Sequence, residues 1–213
     1  MMKDFHHDAY QTRDLIWSLQ STPRLVDFTF AVRDDECREL ATEVIDTFTQ
    51  TVVPCYPNMQ RGLLHGDFNE QNIIVRPKPG TVDHAQPEYQ VAGFIDFGDS
   101  HRSYYVFELA VLIAHVMLKN GGIGLIEVGG HVIAGYFSVK PLSDLEFDLL
   151  KVCVASRYTQ ALVMSEYTYT QVDPGNQYLL TTGKTGWPQL KRLWSTPKEE
   201  IKATWKAIMN TYT

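Results

Sequence analysis

Three oxygen-bearing side chains carry the densest chemical signal in the chain. Asp67 lies in Leu64-His65-Gly66-Asp67-Phe68-Asn69, and Asn72 follows five residues later. Asp96 stands 24 residues beyond that, within Phe94-Ile95-Asp96-Phe97-Gly98-Asp99. Phosphoryl transfer from a nucleotide needs such a set. One carboxylate orients the attacking hydroxyl and accepts its proton, while an amide oxygen and a second carboxylate hold Mg²⁺ against the phosphates. Mg²⁺ is hard and prefers oxygen, whereas a zinc site would recruit His or Cys. Taken singly, an Asp or Asn here is equally suited to capping a turn. Their joint occurrence, with an apolar run after Asn72 and another before Asp96, points to chemistry.

That reading requires elements able to bring residues 67, 72 and 96 together. Residues 72–76 (NIIVR) read as a strand, a Pro/Gly-rich stretch follows, and residues 88–96 (EYQVAGFID) read as a second strand. Together they predict a β-hairpin with a long loop. Antiparallel pairing would set Asn72 and Asp96 side by side at its open end, with Asp67 on the loop leading into that end. The rest is predicted helical. Leu40, Val44, Ile45 and Phe48 share one stripe of a helix over 36–50, which Asp34 or Asp35 can cap, and Pro54 and Pro57 close it. Helices are expected from Tyr104 to about Leu118 and over Val128–Ser138. A capping box at Ser143-Asp144-Leu145-Glu146, with Leu142 stapled on Phe147, starts a long helix reaching Tyr167 or beyond before Asp173-Pro174-Gly175 stops it. Thr196-Pro197-Lys198-Glu199 reads as a second capping box, for a helix with Ile201, Trp205, Ile208 and Tyr212 on one face. The fold class is mainly α with a small β-hairpin (α+β), in one domain. Residues 1–60 are a helical lead-in, 61–100 carry the loop, hairpin and metal motif, and 101–213 form a helical subdomain.

The pattern H-x-D-x-x-x-x-N followed by D-F-G is that of protein kinases, with Gly66 in place of their arginine. More specifically, HGDFNEQNI with IDFGD resembles the aminoglycoside phosphotransferase and choline kinase superfamily, small-molecule kinases with a protein-kinase-like fold. Within it, EYQVAGFIDFGDSHRSYYVFELA, VGGHVIAGYFSVKPLS and TGKTGWPQL resemble the hydroxylysine kinase family, across about residues 60–195. The resemblance implies phosphorylation of the side-chain hydroxyl of 5-hydroxy-L-lysine, with GTP favoured over ATP as donor, in the cytosol. Carried over residue by residue, Asp67 matches the catalytic base, and Asn72 and Asp96 match the Mg²⁺ ligands. The alternatives are another small hydroxylated amine as acceptor, of the choline, homoserine or aminoglycoside type, or a non-catalytic binding module.

Neighbouring residues are assigned supporting parts. His65 is expected to brace the loop by a hydrogen bond. Asp99 and Glu108 could make the pocket acidic enough for a substrate ammonium group; the competing reading, favoured for Glu108 and level for Asp99, is structural, with Glu108 capping the following helix or bracing the catalytic loop from it. Two glycine-rich stretches are read as structural. Gly183-Lys184-Thr185 ends like a P-loop, but Tyr178 stands where the first glycine should be and no strand leads in. Gly121-Gly122-Ile123-Gly124 lies between helices, without the strand–turn–helix setting that cradles phosphate. His6-His7 is too isolated for a metal site.

Composition narrows the partners. Nineteen Lys+Arg against 25 Asp+Glu give a net charge of −6 in 213 residues. That balance argues against nucleic acid, which demands a basic face, and it suits a cationic amino-acid substrate beside the nucleotide. No apolar window reaches membrane-spanning length, since Glu108 and His115 break the richest run. Cys37, Cys55 and Cys153 are too widely spaced for a disulfide framework or a zinc pattern. A kinase of this kind also uses a glycine-rich loop and a strand lysine over the phosphates. The residues before His65 hold no glycine ahead of Gly62 and one lysine, Lys3. The expectation is therefore a kinase C-terminal lobe with the N-terminal lobe absent.

Overall fold

The structure, a computed structural model, describes residues 7–80, 87–119 and 122–212. His6, Gly121 and residues 81–86 of the hairpin loop lie outside the described residues. The architecture is mostly helical with two small antiparallel sheets.

Helix α4 (Asp144–Tyr167) forms the centre. Leu150, Cys153, Val154, Ala155, Tyr158, Leu162 and Val163 are all at most 1% exposed, a helix buried on every side, as expected when neighbours cover it all round. Those neighbours are α1 (Asp35–Thr51), α2 (Tyr105–Lys119), α5 (Thr181–Ser195) and a 3-10 segment, Leu19–Ala31. Helices α3 (Leu125–Phe137) and α6 (Lys198–Met209) pack on each other beyond α2. Trp205 closes that seam, buried, with its indole N–H donating to the Ile126 carbonyl at 2.9 Å.

The termini follow local chemistry. Asp34 caps α1, accepting from the Cys37 amide at 2.8 Å. The Ser143–Glu146 capping box forms in full, and the second Glu146 oxygen accepts from the Gln60 amide at 2.9 Å. A buried carboxylate thus starts the central helix and fixes the approach to β1. Helix α4 ends at Tyr167, as the Asp173-Pro174-Gly175 stop suggested, through a π turn over Thr168–Val172. The second capping box does not form. Thr196 turns its hydroxyl back onto the Arg192 carbonyl at 2.8 Å, closing α5, and Pro197 becomes the N-cap of α6 without a side-chain bond. Tyr212 falls beyond α6 and is exposed. Gly183-Lys184-Thr185 lies inside α5, so its backbone amides serve the helix and not a phosphate.

The predicted hairpin is β2 (Ile73–Pro77) paired with β3 (Tyr89–Phe94), from Ile73 opposite Phe94 to Pro77 opposite Tyr89. A second pair, β1 (Arg61–Leu64) with β4 (His101–Tyr104), was not foreseen. It straddles the hairpin: β1 delivers the chain to His65, and β4 receives it after Asp99. This pair therefore ties both ends of the motif-bearing segment to α2.

Candidate active site

The 61–104 segment converges on the loop at residues 65–72. Gly66 sits at φ +89°, a region that favours glycine. A Cβ there would stand 2.2 Å from the Asp99 carbonyl oxygen. Only glycine lets the loop lie this close to the chain that leaves the Asp96 motif.

Asp67 is held on both carboxylate oxygens. Oδ2 accepts from Asn69 Nδ2 at 2.9 Å and from Asn72 Nδ2 at 3.2 Å. Oδ1 faces the Arg157 guanidinium at 3.3 Å, with His115 Nε2 at 3.9 Å. Asn72 Nδ2 also donates to the Asp67 carbonyl at 2.9 Å. Asn72 is buried and closes a short 3-10 turn, Glu70–Asn72, directly before β2. Committing its amide nitrogen to Asp67 leaves Oδ1 as its ligating end. The Asn72 carbonyl accepts from the Ile95 amide at 3.1 Å, which binds the start of the outgoing strand to the residue before Asp96.

Asp96 lies two residues past β3 in the left-handed region, at φ 61° and ψ 67°, and is the one described non-glycine residue with positive φ. Such backbone concentrates at functional sites, where the surroundings over-determine it. Its side chain is exposed and accepts from the Gly98 amide at 3.4 Å. The structure thus joins Asp67 and Asn72 directly, and brings Asp96 beside them through the hairpin backbone. An amide oxygen and a carboxylate are a hard-donor pair that fits Mg²⁺ with phosphate oxygens completing the shell. Among the described residues, no group of three or more His, Cys, Asp or Glu side chains is arranged for a metal.

The supporting residues are placed as follows. His65 Nε2 meets the Ile95 carbonyl at 2.9 Å, and its ring packs on Phe97 at 4.8 Å and Phe68 at 5.6 Å. Glu108, on α2, accepts from the His65 amide with one oxygen and from the Gly66 amide at 3.2 Å with the other. Burial pushes its carboxyl up, opposed by those two hydrogen bonds. Both oxygens face the loop backbone, an arrangement that fits bracing. Asp99 contributes its carbonyl, which meets His101 Nδ1 at 2.8 Å.

Two further residues meet Asp67 from distant parts of the chain, Arg157 on α4 and His115 on α2, and Gln160 on α4 and Trp17 contact Arg157 in turn. Burial, and next the Arg157 charge, lower His115 to about 4, so its imidazole is neutral and accepts from Arg157 at 3.2 Å. One signal was available. Arg157 is the single charged residue between Lys151 and Glu166, in the stretch that becomes the most buried helix. An apolar cavity of about 600 Å³ adjoins the other side of the loop, walled by His65, Phe68, Phe94, Phe97, Leu109 and Tyr136 among others. Asp67, Asn72 and Asp96 do not line it.

Comparison with known proteins gives this geometry a family. The model of the phosphotransferase enzyme family matches residues 4–142, a span that includes the loop, the hairpin and Glu108. The chain belongs to that family. Among curated proteins, this phosphotransferase relative is 32% identical to hydroxylysine kinase of Mus musculus over 214 residues, 99% of this chain and 56% of that protein. With hydroxylysine kinase of Xenopus laevis it shares 34% identity over 206 residues, 96% of this chain and 54% of that protein. Homoserine kinase of Gluconacetobacter diazotrophicus is 27% identical over 152 residues, 70% of this chain and 43% of that protein. The chain spans about half the length of the curated relatives it matches. Among the described residues, no helix is long and apolar enough to cross a membrane.

Proposed function

We propose that this chain is the C-terminal lobe of a cytosolic small-molecule kinase that transfers the γ-phosphoryl group of GTP, or of ATP, to the hydroxyl of 5-hydroxy-L-lysine. The observation that carries the reading is the Asp67 carboxylate, bonded to Asn72 and linked through the Ile95–Asn72 backbone bond to the turn holding Asp96. Asp67 is the base. As the acceptor oxygen bonds to the γ-phosphorus and the bond to the β,γ-bridging oxygen breaks, Asp67 takes the hydroxyl proton and the nucleoside diphosphate leaves. Asn72 Oδ1 and Asp96 would hold Mg²⁺, which supplies charge neutralisation at the phosphates. His65 and Glu108 keep the loop in place from beneath, and Asp99 is the carboxylate for the substrate ammonium.

Two observations support the lobe assignment. The hairpin exposes Ile74, Val75, Val91, Phe94, Ile95 and Phe97, each at least 43% accessible, beside the proposed metal ligands. Large apolar side chains exposed in such number on one hairpin fit an interaction face, and the matched relatives are nearly twice as long as the chain. The likeness to homoserine kinase favours homoserine as the second acceptor.

The test is Mg²⁺-dependent turnover of GTP and ATP by the purified chain with 5-hydroxy-L-lysine, homoserine or choline, with calorimetric titration of each Mg·nucleotide. The expected result is hydroxylysine-dependent turnover, abolished in Asp67→Ala. Full activity in that variant refutes the role of Asp67. Absence of both turnover and nucleotide binding refutes catalysis by this chain and leaves a binding module.

A further inference from the structure

In the H-R-D pattern a cation precedes the base. Here position 66 can bear no side chain, because the Asp99 carbonyl occupies its Cβ space. The cation that meets Asp67 comes instead from 90 residues away. Arg157 is 5% exposed, and its Nη2 lies 3.3 Å from Asp67 Oδ1.

What holds this guanidinium is as telling as what it touches. Nη1 donates to Gln160 Oε1 at 2.8 Å, and Gln160 Nε2 donates to the carbonyls of Ile16 at 2.6 Å and Ser18 at 3.2 Å. The guanidinium carbon stands 5.3 Å over the Trp17 ring. Nη2 serves both Asp67 and the neutral His115. Among the described residues, Nε meets no acceptor although it is buried. A buried donor left unpaired needs an explanation, and here it is geometric: the fork is placed for Asp67 and Gln160 at the expense of its own third direction. A buried arginine remains charged and requires a compensating carboxylate, which Asp67 supplies.

The Asp67 carboxylate is consequently gripped from both ends, Oδ2 by two asparagine amides and Oδ1 by Arg157, which fixes its plane. We infer that Arg157 is a positioning residue: anchored by Gln160 and Trp17, it holds the Asp67 carboxylate in the orientation from which it meets the acceptor hydroxyl. The inference rests on the reading of Asp67 as the base.

The test uses the full chain as wild type, Arg157→Met, Arg157→Lys, Asp67→Asn and the Arg157→Met/Asp67→Asn double variant. Thermal unfolding and steady-state phosphotransfer are measured on each. Misplacing a reacting group by 1 Å lowers rate about 100-fold, so Arg157→Met should lose kcat on that scale with the acceptor KM little changed. Arg157→Lys keeps the charge but not the fork and should recover only part of the loss. In the unfolding cycle, Arg157→Met should lower the Tm less in the Asp67→Asn background, where it removes a charge already uncompensated. Equal Tm losses in both backgrounds, or a loss confined to KM, overturn the role of Arg157 alone. A wild-type chain without turnover overturns the base reading, and this inference with it.

Discussion

The substitution Gly66→Ala isolates the tightest local demand of the site. The backbone at 66 lies at φ +89°, and the added Cβ would stand 2.2 Å from the Asp99 carbonyl oxygen and 3.1 Å from His101 Nδ1. Placing a Cβ in the left-handed region costs about 1–2 kcal/mol. The carbonyl belongs to backbone and cannot swing aside, so the loop must shift. That shift strains the Gly66 amide bond to Glu108, a charged-acceptor bond of about 1.5–3 kcal/mol. The sum is about 4 kcal/mol, and at about 2–4 °C per kcal/mol for a chain of this size the Tm should fall about 8–16 °C. Gly135→Ala is the matched control. Gly135 lies in α3 with nothing within 4 Å of its Cβ position. Alanine there should stabilise by about 0.5–1 kcal/mol and raise the Tm about 1–4 °C. Differential scanning calorimetry on the three proteins decides the matter. A Gly66→Ala Tm within about 2 °C of wild type, or an equal fall in Gly135→Ala, refutes the close-approach argument.

Other outcomes follow from the same contacts. His115 is lowered from 6.5 to about 4 in the folded chain. The unfolded imidazole therefore binds a proton that the native one refuses, and stability present at pH 7 is lost as pH falls through 6.5 toward 4. The loss reaches about 2 kcal/mol by pH 5. Urea unfolding at pH 7 and pH 5 should show that difference shrinking in His115→Gln; an unchanged pH dependence contradicts it. Glu146→Ala removes the capping box of α4 and orphans the Gln60 amide. The expected loss is about 3 kcal/mol by denaturant titration, and a loss under about 1 kcal/mol would mean that the β1 anchor is unimportant. Asp67→Ala should abolish acceptor-dependent turnover, and Arg157→Met should reduce it through kcat.

Much of the architecture is legible residue by residue because its causes are local. Asp34 and Ser143 with Glu146 mark helix starts where the structure has them, and Asp173-Pro174-Gly175 follows directly on the π turn that ends the α4 run at Val172. The β2–β3 hairpin follows from two apolar runs about one loop. The β1–β4 pair escapes such reading: its four-residue strands are 36 residues apart, too short for a periodicity and joined by no turn. Thr196 shows the reverse failure. A sequence that satisfies a capping pattern can spend its hydroxyl on the preceding helix when that carbonyl is nearer.

By itself, the sequence determined the loop chemistry of this protein: a carboxylate, an amide and a second carboxylate at intervals that a hairpin can close, with a glycine where no side chain fits. Those are short-range facts, set by spacing and by which residue types bind hard cations and accept protons. Tertiary structure decided what surrounds Asp67. Arg157 and His115 reach Asp67 from two separate helices, with Gln160 and Trp17 holding Arg157 in turn, and which buried cation meets which carboxylate depends on how α4 docks under the loop. Docking follows from the whole apolar surface of the helix, so no spacing along the chain encodes it.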